Sequence, residues 1–210
     1  MSGVLKRPQL GGRVVAPAAC PDLLRLCRPD SAKHFVQFYE NDPLLIESVA
    51  YVAAKALEAG DSTVLVATDS HLKAIEARLA DSAGARSWLR ESGRYVALDA
   101  SETLSRIMVD GWPDEVKFNE IVGGTIRGAT RKGVNGFVFA FGEMVGLLCA
   151  ANNPKAAVRL ERLWNLLAAR YRFSLYCGYP LSSLGTDPDM NAVLQICAEH
   201  DLTIPAETSF

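Results

Sequence analysis

The stretch GFVFAFGEMVGLLCAANNPKAAVRLERLWNLLAARYRFSLYCGYP, residues 136–180, holds two apolar runs separated by a long amphipathic segment. The runs end in Gly142-Glu143 and Gly178-Tyr179, and Asn152-Asn153-Pro154 bounds the main helix between them. Strand, helix and strand at this length make a βαβ crossover, which joins parallel strands. In an open parallel sheet the ligand crevice lies outside the carboxyl ends of the strands. The stretch therefore sets one carboxylate, Glu143, and one aromatic hydroxyl, Tyr179, where a ligand would sit.

The alternation extends in both directions. HFVQFYE (34–40) is aromatic and β-branched and predicts a strand. Asn41-Asp42-Pro43 supplies cap residues and a first-turn proline for the helix that ends at Gly60. STVLVAT (62–68) is the near-continuous apolar run of a strand covered on both faces, and Asp69-Ser70 caps a helix to about 81. RYVALDA (94–100) predicts a third strand, and a helix runs from Asp114 to about Lys132. A last helix spans 189–200, and LTIP can add a short final strand. Short strands alternating with helices imply a three-layer α/β domain with a mostly parallel sheet. Residues 1–32, rich in Pro and Gly, predict a loosely docked leader, with Leu23, Leu24 and Leu26 able to form one docking turn. The domain then covers 33–205, followed by a tail at 206–210.

Composition excludes several classes. The chain has 210 residues, 49% of them apolar, and a net charge of −2. That balance gives no reason to expect nucleic acid or an anionic membrane as partner. No apolar run reaches the roughly 18 residues of a membrane span, and no signal peptide is evident, so a cytoplasmic protein is expected. Cys20, Cys27, Cys149, Cys177 and Cys197 show no zinc-type spacing, and no metal or cofactor is expected from it. The segment after the first strand, Tyr39-Glu40-Asn41-Asp42-Pro43, has two carboxylates and no glycine, and the chain lacks any Gly-Lys pair. A phosphate-cradling P-loop is thereby excluded. GGTIRG (123–128) lacks the GxGxxG spacing and reads as a helix with small residues at a close approach. GxSxG and HExxH are absent.

What remains is a set of side chains at strand ends. Glu40, Asp69, Asp99 and Glu143 would gather at one sheet edge, with Asp69 and Asp99 equally able to serve as helix caps. Glu143 can either favour the dipole of the helix it precedes or face the crevice. Tyr39 and Tyr179 would supply walls. His34 opens the first strand, at the edge opposite the crevice, and reads as a structural histidine. In the crossover helix, Leu163, Leu166 and Leu167 suffice to cover a sheet, while Leu160 and Trp164 widen the apolar stripe. That excess meets either another helix or a second copy, and a homodimer is expected.

HFVQFYENDPLLIESVAYVAAKALEAGDSTVLVAT, FGEMVGLL, AAVRLERLWNLLAARYRFSLYCGYPL and QICAEHDLTIP occur in this order. Together they resemble the MEDS domain, the methanogen/methylotroph sensory domain of dichloromethane-responsive regulators, over about 33–205. The resemblance implies a RecA- or KaiC-like sheet without its nucleotide loop, and the sensing of small molecules such as hydrocarbon derivatives. Relatives are commonly joined to histidine kinase or DNA-binding modules. No such module is read in this chain, so its output is expected through a kinase or transcription regulator in trans. Cys149 stands where relatives often carry an aromatic residue. The expectation is a non-enzymatic sensory domain. The alternatives are an interaction module with a vestigial crevice, or a hydrolase using Glu143 or Asp99 as base.

Overall fold

The computed structural model describes residues 33–80, 92–185 and 190–204. The expected leader, with Cys20, Cys27 and its leucines, and the tail at 206–210 lie outside the described residues.

Strands β1 (His34–Tyr39), β2 (Ser62–Ala67), β3 (Tyr95–Asp99), β6 (Val138–Gly142), β7 (Phe173–Pro180) and β8 (Leu202–Ile204) form one sheet in the order β3-β2-β6-β7-β1-β8. Every pairing within it is parallel. Helices α1 (Asp42–Ala59) and α2 (Asp69–Ala80) follow β1 and β2. On the return from β3, α3 (Ala100–Ile107) leads to a small hairpin of β4 (Met108–Val109) and β5 (Trp112–Pro113). Next come α4 (Glu115–Phe118) and α5 (Gly124–Thr130), joined by a π turn at Asn119–Gly123. The two crossovers of the return to β7 and β8 are completed by α6 (Met144–Ala150), α7 (Pro154–Ala168) and α8 (Met190–Ala198).

Topology assigns the layers. From β1 to β3 the chain steps across the sheet in one direction, and from β3 to β8 it steps back. Since parallel crossovers keep one hand, the reversal moves the later helices to the opposite face. The core divides accordingly. Phe35, Tyr39, Leu65, Phe139, Phe141 and Tyr176 pack with α1 and α2. Val36, Phe38, Val64, Val138, Cys177 and Tyr179 pack with the helices from α3 onward. Alternate strand residues serve alternate layers, as the two-residue period of a strand requires.

The crossover helix departs from the expected burial. Leu160 and Trp164 are fully inside, whereas Leu166 is 50% exposed. Trp164 stacks edge-on against Phe118 and Phe173, with centroids 5.2 and 6.0 Å away. The wide stripe is thus used within the chain, and the surface on which a homodimer was expected is not available. The hairpin was not anticipated, although Asp110-Gly111 is its signal. Both residues have positive φ (48° and 80°), as the tight two-residue turn demands. Arg159 Nε donates to Pro113 O at 2.9 Å and fixes the hairpin on α7.

Within GGTIRG, only Gly123 is closely approached: a Cβ there would lie 3.2 Å from Leu167 Cδ1. Gly146 is tighter. A Cβ there would lie 2.9 Å from Pro180 Cδ and 3.1 Å from Gly178 O, so α6 seats directly on the end of β7. A proline ring and a backbone carbonyl cannot swing aside. Gly146→Ala should therefore lower unfolding free energy by about 1–3 kcal/mol in denaturant titration, despite alanine's better helix propensity.

Candidate functional site

At the carboxyl ends of β1, β2 and β6 three chain segments converge. Glu143 follows β6, occupies the cap position of α6 and is 4% exposed. Its carboxylate makes no hydrogen bond to its own helix. Instead Oε2 accepts from the Thr68 backbone N–H at 2.8 Å, and Oε1 lies 2.5 Å from His71 Nδ1. The Thr68 hydroxyl is 3.4 Å from Oε2, and the Tyr39 hydroxyl lies near enough to feel the Glu143 charge. The Glu143 amide donates to Val66 O at 3.0 Å, which fixes the origin of the side chain against β2. The carboxylate therefore crosses between strands rather than serving its helix terminus.

His71 is the unforeseen member. It sits in the first turn of α2, buried, with its other nitrogen 3.5 Å from Asp42 Oδ2 at the start of α1. An imidazole between two carboxylates favours its charged form. The hydrogen bond to Glu143 raises the His71 pKa above its ordinary 6.5 against the opposing effect of burial. Burial, and then the Glu143 charge, push the Tyr39 hydroxyl well above its usual range, so Tyr39 remains a donor. The chain Asp42–His71–Glu143 joins the β1–α1 turn, the β2–α2 turn and the end of β6, with Tyr39 beside it. The cue to His71 was its place three residues beyond Thr68 at a strand end.

A hollow of about 400 Å³ opens beside this chain, lined by Gln37, Tyr39, Glu40, Asn41, Asp42, Pro43 and Leu44. Gln37 is held by the Tyr176 hydroxyl. The walls carry two carboxylates where a nucleotide-binding fold would carry a phosphate loop. They favour hydrogen-bond donors and cations over anions. Another hollow, of about 430 Å³, is lined in part by Cys149, Pro154, Pro180, Leu184 and Ile196. Burial pushes the Cys149 thiol up to about 12, so it lines that hollow as a neutral group.

The remaining expected residues are not all brought here. Tyr39 and Glu143 meet, and Glu40 is exposed on the rim. Asp69 points to solvent and pairs with Lys73 at 2.6 Å. Asp99 Oδ1 accepts from Glu102 N at 2.8 Å and caps α3. Tyr179 departs from the expectation: it lies fully buried in the other layer, with its hydroxyl donating to Glu161 Oε1 at 2.6 Å. The two-residue alternation decides this, because Tyr39 pairs with Pro180 and Phe38 with Tyr179. Tyr39 and Tyr179 therefore face opposite sides of the sheet. His34 is buried in that same second layer, near Glu161, Cys177 and His200.

The raised His71 pKa fixes a sign for pH dependence. A proton held more tightly in the folded state stabilises the fold fully below the unfolded value of about 6.5. That contribution disappears as pH rises through the higher folded value. Stability of the wild type should thus fall with pH above about 6.5, and His71→Asn should flatten that slope in urea titrations at pH 6, 7 and 8.

Among described residues, no helix is long and apolar enough to cross a membrane. No curated protein matches this chain. One family profile does match: that of MEDS, the methanogen/methylotroph, DcmR sensory domain, over residues 33–200. The match covers β1 through the turn after α8, including the whole Glu143 constellation, and the chain belongs to the MEDS sensory-domain family.

Proposed function

We propose that this domain is a non-enzymatic sensor that binds a small organic molecule at the carboxyl ends of β1, β2 and β6. One observation carries the reading: near a hollow lined by Tyr39 and Asp42, a buried carboxylate ignores its own helix and, with His71, ties three elements together. A ligand offering a donor would compete with His71 for Glu143, and an apolar portion would lie along Tyr39, Pro43 and Leu44. Displacing His71 loosens the tie between the β1–α1 and β2–α2 turns, joined by His71 and Asp42, and the end of β6. Binding then shifts the balance between two arrangements of these turns by its differential affinity for them. Membership of a sensory family supports this reading.

The output would pass to a histidine kinase or transcription regulator in trans. A homodimer would have to draw on side chains left outside, such as Leu166 or Leu194. No cofactor is needed for this role, and a cytoplasmic setting suits it. The hydrolase alternative is less well supported: Glu143 has its lone pairs engaged, and Asp99 is occupied as a cap.

A thermal-shift screen with small alcohols, amines and hydrocarbon derivatives tests the proposal. A ligand at a hundred times its Kd adds about 2.7 kcal/mol to folding stability. The expected result is a ligand that raises the wild-type midpoint and binds Glu143→Gln at least tenfold more weakly, each protein measured against its own ligand-free baseline. Equal affinity for both would remove Glu143 from the site. No response to any compound, together with capture of a regulator, would favour the interaction module.

A further inference from the structure

Four side chains from four separate elements meet in the second layer. His34 comes from β1, Cys177 from β7, Glu161 from α7 and His200 from the turn after α8. One donor atom of each lies within 4.8 Å of all the others. His34 Nε2 is 3.2 Å from Glu161 Oε2 and 3.4 Å from Cys177 Sγ. Cys177 Sγ is 3.4 Å from Glu161 Oε2, and His200 Nε2 is 3.4 Å from Glu161 Oε1. Donors bound tetrahedrally at about 2.0–2.3 Å stand roughly 3.3–3.8 Å apart. Three of the measured distances, at 3.4 Å, fall in that range and the His34–Glu161 distance, at 3.2 Å, is just below it, with His200 facing Oε1 and the others Oε2 of the glutamate.

The hydrogen bonds around the cluster aim both imidazoles inward. Asn165 Nδ2 donates to Glu199 O at 2.9 Å and Glu199 Oε2 at 3.1 Å, which turns Asn165 Oδ1 toward His34 Nδ1 at 2.8 Å. His34 Nδ1 must then carry the proton. His200 Nδ1 is 2.6 Å from Ile196 O, a pure acceptor, so it too is protonated. In the neutral form each ring thereby directs a bare Nε2 lone pair at Glu161. Such an outer N–H···O bond is how metal-ligating histidines are held. His200 Nε2 is buried and has no hydrogen-bond partner, although its side chain is 0% exposed. The Tyr179 hydroxyl supplies the corresponding bond to the carboxylate, at 2.6 Å.

We propose that His34, Glu161, Cys177 and His200 form a closed site for one divalent cation of the zinc class. Two neutral imidazoles, a carboxylate and a thiolate neutralise a 2+ ion, which suits a site with a fully buried glutamate. The mixed N, O and S set matches zinc rather than calcium or magnesium, which take oxygen alone. Binding replaces the thiol proton: Cys177 S–H releases H⁺ to solvent as the S–metal bond forms. Four protein donors leave no open position, so the ion is structural. It would fasten the α8–β8 segment to β1, β7 and α7, beside the three paired positions of β8 and the Asn165–Glu199 bonds.

The test uses the full chain, treated with chelator, shown folded by circular dichroism and titrated with Co²⁺. The expected result is one equivalent bound, with tetrahedral d–d absorption and a thiolate-to-cobalt charge-transfer band, both erased by Zn²⁺. Zn²⁺ should also raise the melting midpoint. Cys177→Ser should abolish the charge-transfer band, and His200→Gln should weaken binding at least tenfold. Asn165→Ala, which touches no donor, should weaken it about 10–100-fold. Variants of Cys197, and of Cys20 with Cys27, should leave the spectrum unchanged. A folded wild type that takes up no Co²⁺ overturns the proposal. So does a spectrum that survives Cys177→Ser or is lost with the other cysteines.

Discussion

A carboxylate taken out of water must find compensating charge or hydrogen bonds, since an unpaired one costs several kcal/mol. Among the described residues three are buried, and two of them, Glu143 at 4% exposure and Glu161 at 0%, belong to the single crossover from β6 to β7. Their compensation fixes much of the surrounding structure. Glu143 draws the β1–α1 and β2–α2 turns together over the sheet edge. Glu161 draws β1, β7 and the turn after α8 together beneath α7.

The two sites differ in access, and that difference separates their roles in the proposals made above. Glu143 is linked through His71 to Asp42 on the wall of an open hollow, and its partners are donors that an incoming molecule can replace one at a time. Breaking one partnership of a buried charge costs about 3–5 kcal/mol, so a ligand must supply an equivalent donor. Such exchange is selective and has two end states, the requirements of a sensor. Glu161 is enclosed on every side by its layer. Burial alone would push its carboxyl up, yet His200 and His34 hold it well below the usual range. A permanent charge with no path for an organic ligand suits a fixed ion.

Much of the fold was legible because strands and helices alternate with distinct periods. The carboxyl-end placement of Glu143 followed from topology alone, and the absence of a phosphate loop followed from Tyr39–Pro43. Side-chain direction was less legible. Tyr179 was assigned to the crevice because it ends a strand, but register with Phe38 sends it to the other layer. Glu161 drew no reading from the sequence, although it stands three residues before Trp164, on the inward stripe of α7. Leu166 was taken as inward because leucines cluster there, whereas the helix turns it to solvent. The His34–Glu161–Cys177–His200 grouping left no spacing signature, since its members come from four elements joined only by tertiary packing. His71 was hidden for the same reason: its partners lie 72 residues later and at the start of another helix.

The central claim is that a charged His71 is hydrogen-bonded to Glu143. Nitrogen-15 chemical shifts of the His71 imidazole, recorded at pH 6.5 on the ligand-free protein, address it directly. An unperturbed histidine is half-protonated there, so the account expects His71 to be mostly imidazolium, with protons on both Nδ1 and Nε2. A mainly neutral ring with a bare Nδ1 facing Glu143 would contradict it.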